Sequence, residues 1–264
     1  MTFVLFSLGI AAAFFVSSLV LLNFGRRLGL RYLQKEPGNM AGLTTVEGAV
    51  FALIGLLFAF TISGGLQRFD ERRELVTKEA NAAMTAYDRL ALFDDDAARN
   101  LQRKLKEYVR ARIDLYLMPH DFSLFEHREL FSAEQHDKIQ TLKNNLSDGA
   151  VALCPHENFR PACSITLIAL SNLFEVARLR EGASEKHPPQ IIYIILFGLG
   201  LGGSLLAGFG MAAATTRSWI HMLVFAGTLT VALFTVTDME YPRLGLINIE
   251  NFDHFLMDAY EQMR

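Results

Sequence analysis

The sequence predicts an all-α integral membrane protein: four transmembrane helices, with a helical extramembrane domain inserted between helices two and three. Three observations predict it. Charge is segregated: Lys, Arg, Asp and Glu make up 20% of the 264 residues, yet 1–25, 48–67 and 188–216 carry none. Residues 218–237 carry none either with His221 neutral. Each run suffices for the ~20 residues that cross a ~30 Å hydrocarbon core as a helix. The stretch 67–118 is rich in charge but keeps an apolar position every three or four residues, the period of a packed helix. No Pro interrupts residues 45–93, so the second span is expected to continue as one rod beyond the bilayer.

The first span reads Thr2 to Leu22 and meets Arg26 and Arg27. No basic residue precedes it, and its apolar stretch exceeds a signal-peptide core, so a retained helix is expected. The second is Gly48 to Leu66. The third runs from Ile191 to about Ala213 behind Pro188-Pro189, which cannot sit inside a helix. The fourth is Trp219 to Val236, close enough to the third to form an antiparallel hairpin. The expected divisions are 1–66, the first helix pair; 67–187, the inserted domain; 188–237, the second pair; and 238–264, a C-terminal tail.

Four spans put the insert and both termini on one side. Arg26, Arg27, Arg31, Lys35 and Arg217 lie in the short loops of the other side and pull that side into the cytoplasm. Arg68, Arg72, Arg73 and Lys78, directly beyond span two, oppose this. Cys154 and Cys163, the only cysteines, bound a short loop. A disulfide between them leans toward an oxidising compartment for the insert. Free thiols, or a zinc site with His156, are the alternatives, and the zinc site lacks an evident fourth ligand. The net charge of −3 gives no basic footprint, so no nucleic-acid partner is expected.

Within the insert, Leu66, Phe69, Val76, Ala80, Ala83, Tyr87 and Leu90 form a heptad seam with Arg73 as its polar position. After a turn near Asp94-Asp95-Asp96, Leu101, Leu105, Tyr108, Arg112 and Leu115 repeat the spacing, and Pro119 ends the helix. This reads as an antiparallel helical hairpin. Further helix is expected at about 132–150 and 164–182. The acids at 94–96 lack EF-hand spacing and suit a helix start.

The second span carries Gly48, Ala52, Gly55, Ala59 and Ser63 on one face. Small residues let membrane helices approach closely. The alternative is a pore lining, with Thr61 and Ser63 supplying hydroxyls near its end. Gly64-Gly65 is a place to bend. The glycines of span three lie inside an apolar run and are no dinucleotide loop, which needs a preceding strand. Arg68, Asp70, Arg72 and Arg73 follow span two, and Asp238 and Glu240 follow span four on the same side. An interfacial salt-bridge network, a charged vestibule selecting ions, and a divalent cation held by Asp238, Glu240 and Asp70 are the three readings. No catalytic frame, metal-binding motif or cofactor motif is present, so no enzyme, resident metal or cofactor is expected.

The run from Ala52 through Ser63, the segment Arg68 to Val76, and Glu79-Ala80-Asn81 resemble the bacterial bestrophin-like family of unknown function (DUF4239). Asp238 to Ile247 resembles that family's closing motif. The resemblance implies a multi-pass protein of the bacterial inner membrane, kin to pentameric anion channels with a large cytoplasmic helical region. It thus places the insert opposite to where the loop charges and cysteines place it. The function expected is an oligomeric ion (anion) channel or channel-like transporter, with membrane lipid, copies of the same chain and an inorganic anion as partners. Span two would line the path, and Arg68, Arg72 and Arg73 would attract anions that Asp238 and Glu240 orient. The alternative is a non-conducting scaffold or stress sensor whose hairpin binds another protein.

Overall fold

A computed structural model of the chain describes residues 2–35, 41–93, 96–116, 125–154, 160–214, 218–241, 245–247 and 250–263. Expectations that fall on Asp94, Asp95, Pro119, His156, Arg217, Pro242 and Arg243 lie outside the described residues. Among those described there are helices and no strand: α1 (Thr2–Lys35), α2 (Ala41–Leu90), α3 (Asp96–Tyr116), α4 (Phe125–Ala152), α5 (Arg160–Glu185), α6 (Gln190–Gly210), α7 (Trp219–Glu240) and α8 (Glu250–Gln262). Helices long and apolar enough to cross a membrane lie within Val4–Lys35, Thr45–Leu90, Pro161–Ala213 and Trp219–Glu240. α2 runs unbroken through Gly64-Gly65. Pro189, with ψ 139°, separates α5 from α6, because a proline offers no N–H to the preceding turn.

The chain forms two compact units: Met1–Gln67 with His187–Ile247, and Arg68–Lys186 with Asn248–Arg264. The expected tail of 238–264 is therefore divided. Its first part stays with the apolar helices, and its second folds as α8 in the other unit.

In the first unit α1 and α6 run parallel at backbone contact. Phe14 meets Gly200 and the edge of Phe197, with ring centroids 5.5 Å apart. Leu22 meets Gly208, and Gly25 meets Leu205 and Phe209. A Cβ on Gly25 would fall on the Leu205 carbonyl, and one on Gly208 on the Leu22 carbonyl. Small residues thus do in this pair what they do between membrane helices generally. α7 runs the other way: Leu233 and Val236 cluster with Phe14, Met222 and Ala226 with Leu22. α2 enters through Phe51, Ile54, Phe58 and Ile62. Of the span-three glycines, Gly200, Gly203 and Gly208 meet neighbours, whereas Gly198 and Gly202 have open space beside them.

In the second unit α2 and α3 form the expected antiparallel hairpin, since Gln102 donates to the Tyr87 carbonyl and Arg112 reaches back to Glu79. The seam is buried at Val76, Ala80, Ala83 and Leu90 on α2 and at Leu101, Leu105 and Tyr108 on α3. Ile139 and Leu146 of α4, Leu170 and Leu173 of α5, and Leu256, Ala259 and Met263 of α8 complete one core. Cys154 and Cys163 are joined by a disulfide, Cα atoms 5.4 Å apart, tying the end of α4 to the start of α5.

A charged knot is buried in this core. Glu79 accepts from Arg112 at 2.6 Å and from Arg180 at 2.7 Å, and all three side chains are at most 3% exposed. Arg180 also donates to Asp253 of α8 at 2.8 Å and lies 3.7 Å above the Tyr116 ring. Arg112 further binds Glu181, the Tyr116 hydroxyl and the Ala177 carbonyl. Burial pushes the Glu79 carboxyl up, but the two guanidinium charges and their hydrogen bonds outweigh it and hold it below its ordinary value of 4.5.

Gly208→Val and Gly25→Val should each lower stability by about 1–3 kcal/mol through overpacking, while Gly55→Ala, which meets nothing, should leave it unchanged; thermal unfolding in detergent reads this. Glu79→Gln leaves two guanidinium groups in the core without their shared charge and should cost about 3–5 kcal/mol. Because the folded value is depressed, the stability from Glu79 is complete above pH 4.5 and is lost as pH falls through the lower folded value. The thermal midpoint of the unmodified protein should therefore drop more steeply on acidification below that pH than the midpoint of Glu79→Gln.

Candidate functional site

The apolar half of α2 has two unlike sides. Ile54 and Phe58 are buried against the other apolar helices. Gly48, Ala52, Gly55, Ala59 and Ser63 are all exposed in the single chain. A Cβ added at Gly48 or Gly55 would meet nothing within 4 Å. Within the chain, then, α2 packs through its bulky side, and the small-residue face looks outward beside exposed Leu53, Leu56 and Phe60. The reason is volume: bulky side chains fill the space between α1, α6 and α7, which a face of Gly and Ala would leave empty. Of the two hydroxyls at the end of this face, Thr61 donates to the Leu57 carbonyl at 2.8 Å. Ser63 is exposed.

The charged residues after span two belong to the second unit. Arg72 is buried, and its guanidinium donates to the carbonyls of Ala183 at 3.0 Å and Lys186 at 2.8 Å. It fastens the C-terminal end of α5 to α2, at a helix end whose free carbonyls attract cations. Asp70 is exposed and pairs with Arg73 at 3.3 Å, and Arg73 lies 4.1 Å over the ring of Phe252. Glu71 pairs with Lys186 at 3.1 Å, and Arg68 is half-buried.

The acids after span four belong to the first unit. Asp238 is buried and accepts from the backbone N–H groups of Leu246 at 3.0 Å and Ile247 at 2.7 Å. Next to these amides, the Gly245 N–H donates to the Tyr241 carbonyl at 3.0 Å. A side chain at Gly245 would strike the Asp238 carboxylate, its Cβ lying 2.6 Å from the carboxyl carbon. Glu240 is fully buried. Its Oε1 lies 3.6 Å from where a Cβ on Gly65 would stand, and its Oε2 is 3.8 Å from His187 Nδ1. His187 stacks on Tyr241 with centroids 5.1 Å apart. The end of α2's apolar half, the start of α6 and the last turn of α7 thus converge on one buried carboxylate.

At the opposite end of this unit Gly210 lies against Glu47. Trp219 and His221 are exposed there, and His221 Nδ1 is 2.5 Å from the Ser218 hydroxyl. Arg26, Arg27, Arg31 and Lys35 lie on the same end of α1. Among the described residues no group of three or more His, Cys, Asp or Glu is arranged to hold a metal.

Sequence reasoning singled out Arg112 only as a seam position and Glu79 only within a family-like segment, with no partner for either, and missed Arg180 and Asp253 altogether. A charge repeated inside an apolar seam was the available signal. It also missed α8, although Phe252, Leu256, Ala259 and Met263 carry the three-and-four spacing of a packed helix face.

The fold has solved counterparts. A bacterial bestrophin homologue from Klebsiella pneumoniae with a tyrosine replaced by alanine superposes with a TM-score of 0.66 at 14% identity, over 93% of this chain and 98% of its own. The same homologue with a tryptophan replaced by alanine gives 0.67 at 15% identity, over 96% and 98%. At that identity the likeness is one of fold. No curated protein matches the chain. Residues 10–251, from α1 to the start of α8, match the bestrophin-like domain. The helices that set the small face of α2 and the buried carboxylate of α7 thus lie within a stretch that identifies the chain as a member of the bestrophin-like family.

Proposed function

We propose that the protein is a homo-oligomeric, multi-pass channel or channel-like transporter of the bacterial inner membrane that passes a small inorganic anion. The observation that carries the reading is the outward small-residue face of α2. A helix that packs through its bulky side and exposes Gly48, Ala52, Gly55, Ala59 and Ser63 has a face narrow enough to stand close to an axis shared with other copies. In this reading the path belongs to an assembly, a pentamer if it follows the bestrophins. The second unit is the extramembrane domain of that assembly, and lipid covers the remaining exposed apolar side chains.

Within this reading the residues divide. Ser63 offers its hydroxyl to the path, and Thr61 keeps its own inside the helix. Arg68 and Arg73 raise the local anion concentration near the exit of α2, with Asp70 tempering Arg73. Arg72, Asp238 and Glu240 each hold the local geometry of their own unit. Arg72 does so through carbonyls, and Asp238 through the amides of Leu246 and Ile247.

Reconstituted into liposomes, the protein should conduct chloride or iodide above protein-free vesicles. Ser63→Cys should conduct as well until a membrane-impermeant thiol reagent is added, and then fall to the rate of empty vesicles. The native cysteines, being joined to one another, leave the unmodified protein insensitive. No flux from an intact oligomer would overturn the transport reading in favour of a scaffold. Flux unaffected by modification at Ser63 would remove α2 from the path.

A further inference from the structure

The outer surface of the second unit carries two unlike edges on either side of α2. Glu74, Lys78, Asn81, Thr85 and Asp88 form the exposed stripe of α2. On one flank, α2 and α5 frame a groove of ≈ 580 Å³ lined by Thr85, Arg89, Ile165, Ile168, Asn172 and Glu175. Its wall is fixed by the Thr166 hydroxyl, which donates to the Arg89 carbonyl. Ile168 is 65% exposed there. On the other flank, α2 and α8 frame a groove of ≈ 540 Å³ lined by Met84, Asp258, Glu261 and Gln262. Half-exposed Phe255 stands one turn before Asp258 on α8. Met84 and Arg89 are five residues apart, which at ~100° per residue separates the two flanks by about 140° around α2.

These edges suit each other better than either suits itself. A two-fold contact between α8 edges would set Asp258 and Glu261 against their own copies, and like charges meeting across an interface are costly. A head-to-tail contact instead brings Arg89 to those acids, with Glu175 the one acid among the described residues lining its groove, and Ile165 and Ile168 to Phe255 and Met84. Head-to-tail contacts close into rings when the rotation between copies permits.

We propose that the second unit is the contact module of the oligomer: the α2/α5 groove of each copy seats the α2/α8 edge of the next. Arg89 meets the acids Asp258 and Glu261 of the adjacent copy, and the ring closes with the polar stripe of α2 turned inward. The proposal rests on the homo-oligomeric reading above and names the surfaces that reading leaves open.

The test uses the intact chain in lipid nanodiscs. Arg89→Cys and Glu261→Cys combined in one chain should, under mild oxidation, give a ladder of covalent multimers, while each single variant gives a monomer band on a denaturing gel. Arg89→Glu should raise the concentration at which the detergent-solubilised oligomer dissociates by about tenfold or more, as like charges replace opposite ones. Combining it with Asp258→Arg and Glu261→Arg should restore the original value. An oligomer that stays whole in every variant, with no ladder, would overturn this interface and leave the oligomer reading standing. Unmodified protein that mass photometry finds monomeric in lipid would overturn both.

Discussion

Glu79 is the group on which the second unit depends. Its two carboxylate oxygens serve two guanidinium groups, one from α3 and one from α5, and Arg180 carries the chain of charges on to α8 through Asp253. A buried carboxylate is stable only when paired and hydrogen-bonded, and here pairing requires four helices to arrive together. Neither a slide of α3 along α2 nor an undocked α8 is compatible with the knot. Hydrophobic burial supplies the bulk of the driving force, but leucines and alanines tolerate several registers and a forked ion network tolerates one.

The first unit is held by a different rule. Between helices in an apolar setting, exclusion of water gives little discrimination, and close approach of backbones decides which helices pair. Gly25 and Gly208 sit where any larger side chain would strike a backbone carbonyl of the facing helix, and α1 and α6 lie together for that reason. α2 uses its glycines otherwise. Gly48 and Gly55 face nothing in the chain, whereas Gly65 stands at ordinary contact distance from the buried Glu240. One residue type thus serves close contact inside the chain and a narrow outward face.

Much of the architecture was legible because membranes forbid unpaired charge. The four uncharged runs marked α1, the first half of α2, α6 and α7, and the three-and-four spacing marked the α2–α3 hairpin. What stayed hidden depends on distance along the chain. Glu79 resembles its neighbours Glu74 and Asp70 in sequence, and only partners 33 and 101 residues away distinguish it. α8 was missed because its apolar spacing is short and interspersed with acids, and its burial depends on Arg180 and Arg73 elsewhere. The small face of α2 was visible, but a stripe of glycine and alanine does not say whether its neighbour is the same chain or another. Asp238 and Arg72 were recognisable as charges at the end of an apolar run. That one accepts from two backbone amides and the other donates to two carbonyls is decided only by where the fold brings those groups.

The proposed oligomer rests on α2, whose apolar half turns its narrow face away from its own chain. The most direct measurement is an experimental structure of the protein in lipid, with the radius traced along any symmetry axis. The expected result is a closed ring with α2 nearest the axis and Ala52, Gly55, Ala59 and Ser63 lining the passage. A monomer, or a ring whose axis is lined by another helix while these residues face lipid, would contradict it.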